Sequence, residues 1–196
     1  MSDLAARRRE KAVILIDGGY LRAILKEFYQ ETPIDFLALS DELCGNCERF
    51  RTYYYICPPY QSSNPTPDER RRTSEMDKLL FNLRRLPRFE VRLGRLRRTG
   101  NPSHLFEQKG VDVLLSIDMT QLSASHTVDH LVLMSGDSDF VPAVRVAKDN
   151  MTLVKLVYQE GQTSDELFSI CDDRMRITKD LIDKVRWTPS PAPQGI

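Results

Sequence analysis

A short, continuously apolar run that ends at an aspartate constrains the fold of this chain more than any other feature. Residues 12–17 (AVILID) carry no charge before Asp17 and pass directly into Gly18-Gly19. A run that is too short for a helix and apolar on both faces is typical of a buried central strand in a parallel sheet. Beyond the glycines, apolar residues recur at helical spacing, which predicts an amphipathic helix. These residues are Leu21, Ile24, Leu25 and Phe28.

Further strand-like runs alternate with helical spacing along the chain. The predicted strands after the first are 51–56, 89–93, 130–135 and 151–157. The predicted helices after the first are 76–83, one that begins at Val111, 140–149 and 164–176. The stretch 58–74 is rich in proline, serine and charge and is predicted as a long loop, with a second loop at 99–109. This alternation predicts an α/β fold with a mainly parallel, Rossmann-like sheet flanked by helices on both faces.

Length and composition limit the class of protein. The chain has 196 residues, of which 41% are hydrophobic and 29% charged, as in a globular domain. We expect a basic lead at 1–11, a single domain at 12–187 and a flexible tail at 188–196. No apolar run approaches the roughly 20 residues of a membrane helix, and the charged N-terminus is unlike a signal peptide. A cytoplasmic location is expected.

Basic and acidic residues balance in number, 28 of each, but they are segregated along the chain. Arg70, Arg71 and Arg72 fall in the predicted loop, and seven arginines lie between Arg84 and Arg98 against the single acid Glu90. A basic zone beside an acidic focus suits an enzyme that holds a polyanion while it chelates a cation. The alternative is an ordinary solvated surface.

Cys44-Gly-Asn-Cys47 has the C-x-x-C spacing of a zinc knuckle or a redox pair. No second cysteine pair or histidine pair follows at suitable spacing, although Cys57 is available as a third ligand. We favour reduced thiols, as expected in a cytosolic protein, and keep structural zinc as an alternative.

Carboxylates collect where two predicted strands end. Asp17 closes the first strand, and Asp137 and Asp139 follow the run HLVLMS. Ligand sites in open α/β sheets form at the carboxyl ends of strands, where the strand order reverses. Each acid has an alternative as a helix cap, Asp17 before its helix and Asp139 before Pro142. Three acids at adjacent strand ends nevertheless repel one another unless a cation neutralises them.

Two further acids lie on the helix that begins at Val111. Asp112 in its first turn either joins the site or simply interacts favourably with the helix dipole. Asp118 lies on the apolar stripe of that helix and either reaches the site, as a secondary ligand, or braces a neighbouring backbone N–H. Oxygen ligands without histidine or cysteine nearby favour Mg²⁺ or Mn²⁺ over zinc.

At these residues the sequence resembles the NYN domains of the PIN-like nuclease group, in particular the bacterial LabA-like branch. The segments that carry the resemblance are 13–21 (VILIDGGYL), 109–113 (KGVDV), 117–119 (IDM), 134–140 (MSGDSDF) with Pro142 and, more loosely, 164–172. The resemblance implies a PIN-like fold, ribonuclease activity and a divalent metal bound by Asp17, Asp112, Asp137 and Asp139. Many relatives carry Asn where this chain has Tyr20, whose hydroxyl and ring take the place of the amide.

Three functional hypotheses follow. The first is metal-dependent hydrolysis of single-stranded RNA, and the second is a non-catalytic RNA-binding or regulatory module on the same fold. The third is a phosphatase with an aspartate nucleophile. It ranks last because such enzymes place their D-x-D after the first strand, and the first strand of this chain ends in Asp17 alone. Candidate RNA contacts are the predicted loop at 58–74, the basic stretch, and Tyr20, Arg70, Arg71, Arg72, Arg95, Arg97, Arg98 and Lys109. A homodimer is left open.

Overall fold

The structure, a computed structural model, describes residues 9–98 and 106–188, apart from the side chains of 97, 98 and 106–109. The strands are β1 (Lys11–Asp17), β2 (Glu48–Ile56), β3 (Phe89–Leu93), β4 (Arg95–Arg98), β5 (Phe106–Lys109), β6 (His130–Met134), β7 (Leu153–Tyr158) and β8 (Asp173–Arg176). The helices are α1 (Gly18–Phe28), α2 (Phe36–Cys44), α3 (Pro67–Leu83), α4 (Val111–Ala124), α5 (Val141–Asp149), α6 (Asp165–Ile170) and α7 (Lys179–Lys184). Within the described residues, no helix combines the length and apolar composition needed to cross a membrane.

Six strands form one sheet in the order β3-β2-β1-β6-β7-β8, and every neighbouring pair is parallel. The chain moves outward from β1 to β3 on one side, then restarts at β6 beside β1 and moves outward on the other side. Strand order therefore reverses between β1 and β6, the position where α/β sheets bind ligands. The predicted α/β, mainly parallel fold is confirmed.

Hydrophobic side chains pack on both faces of this sheet because successive residues of each buried strand point to opposite sides. From β1, Ile14 and Ile16 face a core closed by α1, α2, α3 and α7. Val13 and Leu15 face the opposite core, which α4, α5 and α6 cover. Burial on both faces explains why β1 is a continuous apolar run rather than an alternating one.

The prediction of a loop over 58–74 is wrong, because α3 begins at Pro67. Thr66 accepts a hydrogen bond from the Glu69 N–H, and the Glu69 carboxylate accepts one from the Thr66 N–H, which together form a capping box. Proline at the first helical position fits this start. Arg70, Arg71 and Arg72 are therefore helical, and the charge that indicated a loop belongs to an exposed helix face.

The predicted helix over 164–176 is also too long, because α6 ends at Ile170. Asp172 exchanges hydrogen bonds with Val154 through its backbone N–H and its carboxylate, which aligns the following residues with β7 as β8.

The predicted loop at 99–109 contains β5, which pairs antiparallel with β4, while 99–105 lie outside the described residues. Sequence reasoning did not anticipate α2, α7 or the β4–β5 pair. Most of the predicted lead and tail, 1–8 and 189–196, also lie outside the described residues.

Candidate active site

Asp17 lies at the reversal of strand order, half-buried between β1 and β6. Ile16 pairs with Met134, so the next residues, Asp17 and Ser135, emerge side by side. Ser135 Oγ donates a 3.1 Å hydrogen bond to Asp17 Oδ2, and the Tyr20 N–H donates one of 3.1 Å to Oδ1. The second bond caps α1, as the sequence suggested. The carboxylate is therefore held in one orientation by the two elements that meet there.

Burial is the main influence on the protonation of Asp17, and it raises the pKa of this carboxyl above its ordinary value of 3.8. Hydrogen bonds from Tyr20, Ser135 and Gly19 partly offset the effect, while the nearby Asp137 charge adds to it. A carboxylate that is costly to ionise in the folded protein gains from a neighbouring cation.

Asp137 and Asp139 follow β6 in a 3₁₀ turn (Ser138–Phe140) that leads into α5. Asp137 Oδ1 accepts a 3.0 Å hydrogen bond from the Asp139 N–H, so Asp137 caps the turn. The alternative role of Asp139 as the cap of the following helix is not observed, because α5 starts after Phe140 without a side-chain cap. Both carboxylates are exposed, and the capping bond uses only Oδ1 of Asp137.

Asp112 completes the group from the first turn of α4. Gly110 precedes this helix with a φ of 89°, a left-handed conformation that glycine adopts without strain, and it turns the chain from β5 into α4. Loss of surrounding water raises the pKa of Asp112, and the charges of Asp17, Asp137 and Asp139 raise it further. The other three predicted acids therefore all lie close enough to Asp112 to act on its protonation.

These carboxylates form an open cluster rather than a closed cage. No three of the four, all of which are described, bring oxygen atoms within 4.8 Å of one another. This arrangement fits Mg²⁺ or Mn²⁺ better than a tightly enclosed ion, because Mg²⁺ commonly takes only one or two protein carboxylates and keeps several waters. The donor set contains carboxylate oxygens and the Ser135 hydroxyl, which are hard ligands.

Asp118, the predicted secondary ligand, makes different contacts. Its Oδ2 accepts hydrogen bonds from the Tyr55 hydroxyl at 2.8 Å and from Arg92 Nε at 3.2 Å. The predicted backbone N–H partner is replaced by these two side chains. The charges that raise the pKa of Asp112 are those of Asp17, Asp137 and Asp139, and the Asp118 charge is not among them. It connects α4 to β2 and β3 and so supports the helix that carries Asp112.

Tyr20 takes part in a contact that sequence reasoning missed. Its hydroxyl accepts a 2.8 Å hydrogen bond from the Gln159 N–H and lies 3.1 Å from Thr163 Oγ1. A side chain at Gly136 would clash with the Gln162 carbonyl and the Tyr20 ring, so only glycine fits there. The loop after β7 is thereby packed against the site. In the sequence, the packing of this loop against the site is indicated locally only by the polar residues that directly follow the parallel strand β7.

The predicted RNA-contacting arginines are divided by the fold. Arg71 pairs with Asp68 and Glu75, and Arg72 with Asp68, all on the exposed side of α3. Arg95 is exposed on β4, where its backbone pairs with Lys109 just before α4. Arg97 and Arg98 also lie on β4, though their side chains are outside the described part of the structure. The β4–β5 pair therefore ends directly before the helix that carries Asp112.

An apolar groove of about 520 Å³ runs between α4 and α5, with Asp112 and Asp139 at its edge. Val113, Ile117 and Val146 on its walls are 60%, 45% and 41% exposed. The remaining lining residues are Ser116, Thr120, Pro142 and Ala143, so no basic residue lines the groove among those whose side chains the structure describes.

The order of the strands, the acids at their reversal and the family comparison agree. The NYN domain model matches residues 11–178. This chain belongs to the NYN domain family. NYN domains are PIN-like nuclease domains that typically use divalent metals and act on RNA, which assigns the protein at that level to a nuclease-type, RNA-related fold.

The structural comparison supports the fold. A crystal structure of a protein of unknown function from Vibrio parahaemolyticus is similar to this NYN chain, with a TM-score of 0.63 and 23% sequence identity. The match covers 92% of this chain and 98% of that one. At this identity the likeness concerns the fold alone. A search of curated proteins found no significant match.

Proposed function

We propose that this NYN domain is a metal-dependent endoribonuclease that hydrolyses phosphodiester bonds of single-stranded RNA. The observation that carries the proposal is the placement of four acids at the reversal of strand order, with Asp17 at the end of β1, Asp137 and Asp139 after β6, and Asp112 in the first turn of α4. Four acids placed this near to one another are costly to keep together unless a cation compensates their charge. The LabA-like branch, the cytoplasmic location and a homodimer stay predictions.

The four aspartates would hold Mg²⁺ or Mn²⁺, with Ser135 and the Tyr20 N–H orienting Asp17. When bound, such an ion supplies Lewis acidity and charge neutralisation for phosphodiester hydrolysis. Asp137 and Asp139 lie on the exposed side, where a phosphate can approach, while Asp17 closes the inner side. Arg95, with Arg97, Arg98 and Lys109 on the same strand pair, would attract the phosphates of the RNA.

The groove beside the site supports a single-stranded substrate. Because its described lining consists of apolar walls, two hydroxyl side chains and the two acids at its edge, it suits a nucleobase better than a phosphate. A base can enter such a groove only when it is unpaired. Ile117→Glu should therefore weaken RNA binding, while Mn²⁺ affinity stays close to that of the wild type.

The test combines cleavage with metal binding. Purified protein should cut single-stranded RNA in Mn²⁺, and EDTA should stop the reaction. Asp17→Asn should still bind RNA but cut at least about 100-fold more slowly, in the range that loss of one electrostatic catalytic group produces. Asp137→Asn should weaken Mn²⁺ binding in calorimetry without unfolding. Equal Mn²⁺ affinity of the wild type and Asp137→Asn would refute the proposed site.

One observation favours the second candidate, an RNA-binding module that does not cut. Tyr20 replaces the asparagine of many relatives, and its hydroxyl is already bonded to Gln159 and Thr163 rather than directed to a substrate. Tight RNA binding without cleavage across several RNAs and metals would select this candidate.

A further inference from the structure

Three residues of different chemistry meet at the edge of the sheet opposite the aspartates. Glu10 precedes β1, Cys47 precedes β2 and His130 begins β6. These strands are parallel neighbours in the order β2-β1-β6, so their amino ends lie at the same edge. Backbone bonds set the alignment, from the Glu48 N–H to the Glu10 carbonyl at 2.7 Å and from the Asp129 N–H to the Lys11 carbonyl at 2.9 Å.

The ligand atoms of Glu10, Cys47 and His130 all lie within 4.8 Å of one another. Within the part of the chain that the structure describes, no other group of three acidic, cysteine or histidine side chains converges this closely. Glu10 Oε2 and His130 Nε2 are 2.9 Å apart, at hydrogen-bond distance. Zinc ligands in a tetrahedral site lie roughly 3.3–3.6 Å apart, since the bonds measure about 2.0–2.3 Å. The Glu10 side chain is 66% exposed, so it has room to adjust toward that spacing.

We propose that Glu10, Cys47 and His130 bind Zn²⁺, or another divalent ion that accepts sulfur and nitrogen ligands. A thiolate and an imidazole select such ions over Mg²⁺, so this site and the aspartate cluster take different metals. Binding releases the Cys47 thiol proton and uses His130 in its neutral form with the proton on Nδ1. Water fills the fourth position on the solvent side, where Glu10 is exposed.

Cys44, the other half of the C-x-x-C sequence, is outside this group. Its side chain is buried in the core beneath α2, and its thiol donates to the Cys47 carbonyl at 3.1 Å. Burial raises the pKa of the Cys44 thiol to about 11. The proposed site therefore differs from a zinc knuckle, in which both cysteines ligate the ion.

Other charged groups border Cys47. Burial and the Glu10 and Asp129 charges raise the pKa of its thiol, whereas Lys155 lowers it. The Lys155 ammonium is held 2.7 Å from the Leu43 carbonyl. An ion bound here would connect the segment before β1 to the starts of β2 and β6, and would stabilise the folded protein by an amount that grows with the logarithm of its affinity.

Cobalt titration of the full chain tests the site independently of nuclease activity. Co²⁺ should produce thiolate-to-cobalt charge-transfer absorption at one equivalent, and Zn²⁺ should abolish it and raise the melting temperature. Cys47→Ser should lose the band. Glu10→Gln, an exposed change that leaves the core intact, should weaken Co²⁺ affinity by more than about tenfold, the lower end of what loss of a supporting residue costs at metal sites.

Cys44→Ser is the matched control, because its hydroxyl can still donate to the Cys47 carbonyl, and it should keep the band. Asp137→Asn should also keep it, which separates this site from the aspartate cluster. Absence of the band in the wild type, or its persistence in Cys47→Ser, would overturn the proposal. Loss of the band in Cys44→Ser would overturn it in favour of a C-x-x-C site.

Discussion

The Tyr55 hydroxyl donates a 2.8 Å hydrogen bond to Asp118 Oδ2, an oxygen that also accepts a 3.2 Å bond from Arg92 Nε. These contacts join the middle of α4 to β2 and β3. Burial and the Asp118 charge strongly raise the pKa of Tyr55, so its hydroxyl stays protonated and remains a donor. This bond adds to the core packing of Leu115 and Met119 in holding α4, and with it Asp112 at its start, against the sheet.

Tyr55→Phe should lower the free energy of unfolding by about 1–3 kcal/mol, because a largely buried carboxylate loses a donor. Asp118→Asn should cost less, since the amide oxygen still accepts from Tyr55 while the interaction with the partly exposed Arg92 is weakened. Urea unfolding measures both. Mn²⁺ affinity in calorimetry should fall less in Asp118→Asn than in Asp112→Asn. The reverse order would make Asp118 a metal ligand and Asp112 a helix-dipole residue.

The pH dependence of stability in EDTA should reflect Asp17. Its pKa is raised in the folded protein, so the folded state holds this proton more tightly than the unfolded chain. The cost of ionising Asp17 in the folded protein is absent below the ordinary pKa of 3.8 and complete above the raised pKa. Asp17 therefore makes the free energy of unfolding fall as the pH rises between these two values.

Asp17→Asn removes this ionisation while it keeps an acceptor for the Tyr20 N–H. The variant should therefore be at least as stable as the wild type at pH 7 in EDTA, and the difference should shrink below about pH 4. Urea midpoints across this range provide the measurement. A variant that is clearly less stable at pH 7 would show that hydrogen bonds to the carboxylate outweigh its desolvation.

Tyr20 is expected to stabilise the fold through its hydroxyl. Tyr20→Phe removes the acceptor of the buried Gln159 N–H and should cost about 1–3 kcal/mol in urea unfolding. Tyr20→Asn should cost more, because it also removes the ring that packs against Gly136. If the missing amide limits catalysis, Tyr20→Asn should nevertheless cut RNA at an equal or higher rate per folded molecule. Unchanged stability of Tyr20→Phe would mean that the hydroxyl is available to a substrate.

The arginines of β4 should govern RNA binding. Replacing Arg95, Arg97 and Arg98 together by alanine should weaken binding and lower the slope of log affinity against log salt by about 1 for each phosphate that is no longer neutralised. Arg71 and Arg72, paired with acids on α3, form the matched control, and alanine at both should change the slope little. An equal slope of log affinity against log salt in the wild type and the triple variant would mean that the β4 arginines do not contact RNA phosphates and belong to an ordinary solvated surface.

Local sequence patterns account for much of the sheet and for the position of the acids. The apolar runs that became β1 and β6 are recognisable because residues buried on both faces must be apolar throughout. Patterns failed where another interaction competed with local preference. The exposed face of α3 resembles a loop in composition, and sheet pairing at Asp172 ended the helix predicted to continue to 176.

By itself, the sequence determined the α/β class and placed aspartates at the ends of two buried strands, because strand periodicity and strand ends are local properties. Only the tertiary structure decided which partners those side chains meet. Asp118 contacts Tyr55 across 63 residues, and Glu10 lies beside His130 across 120. Such pairs depend on strand order and register, which arise from packing the whole sheet. A local pattern contains no record of which strand will become its neighbour.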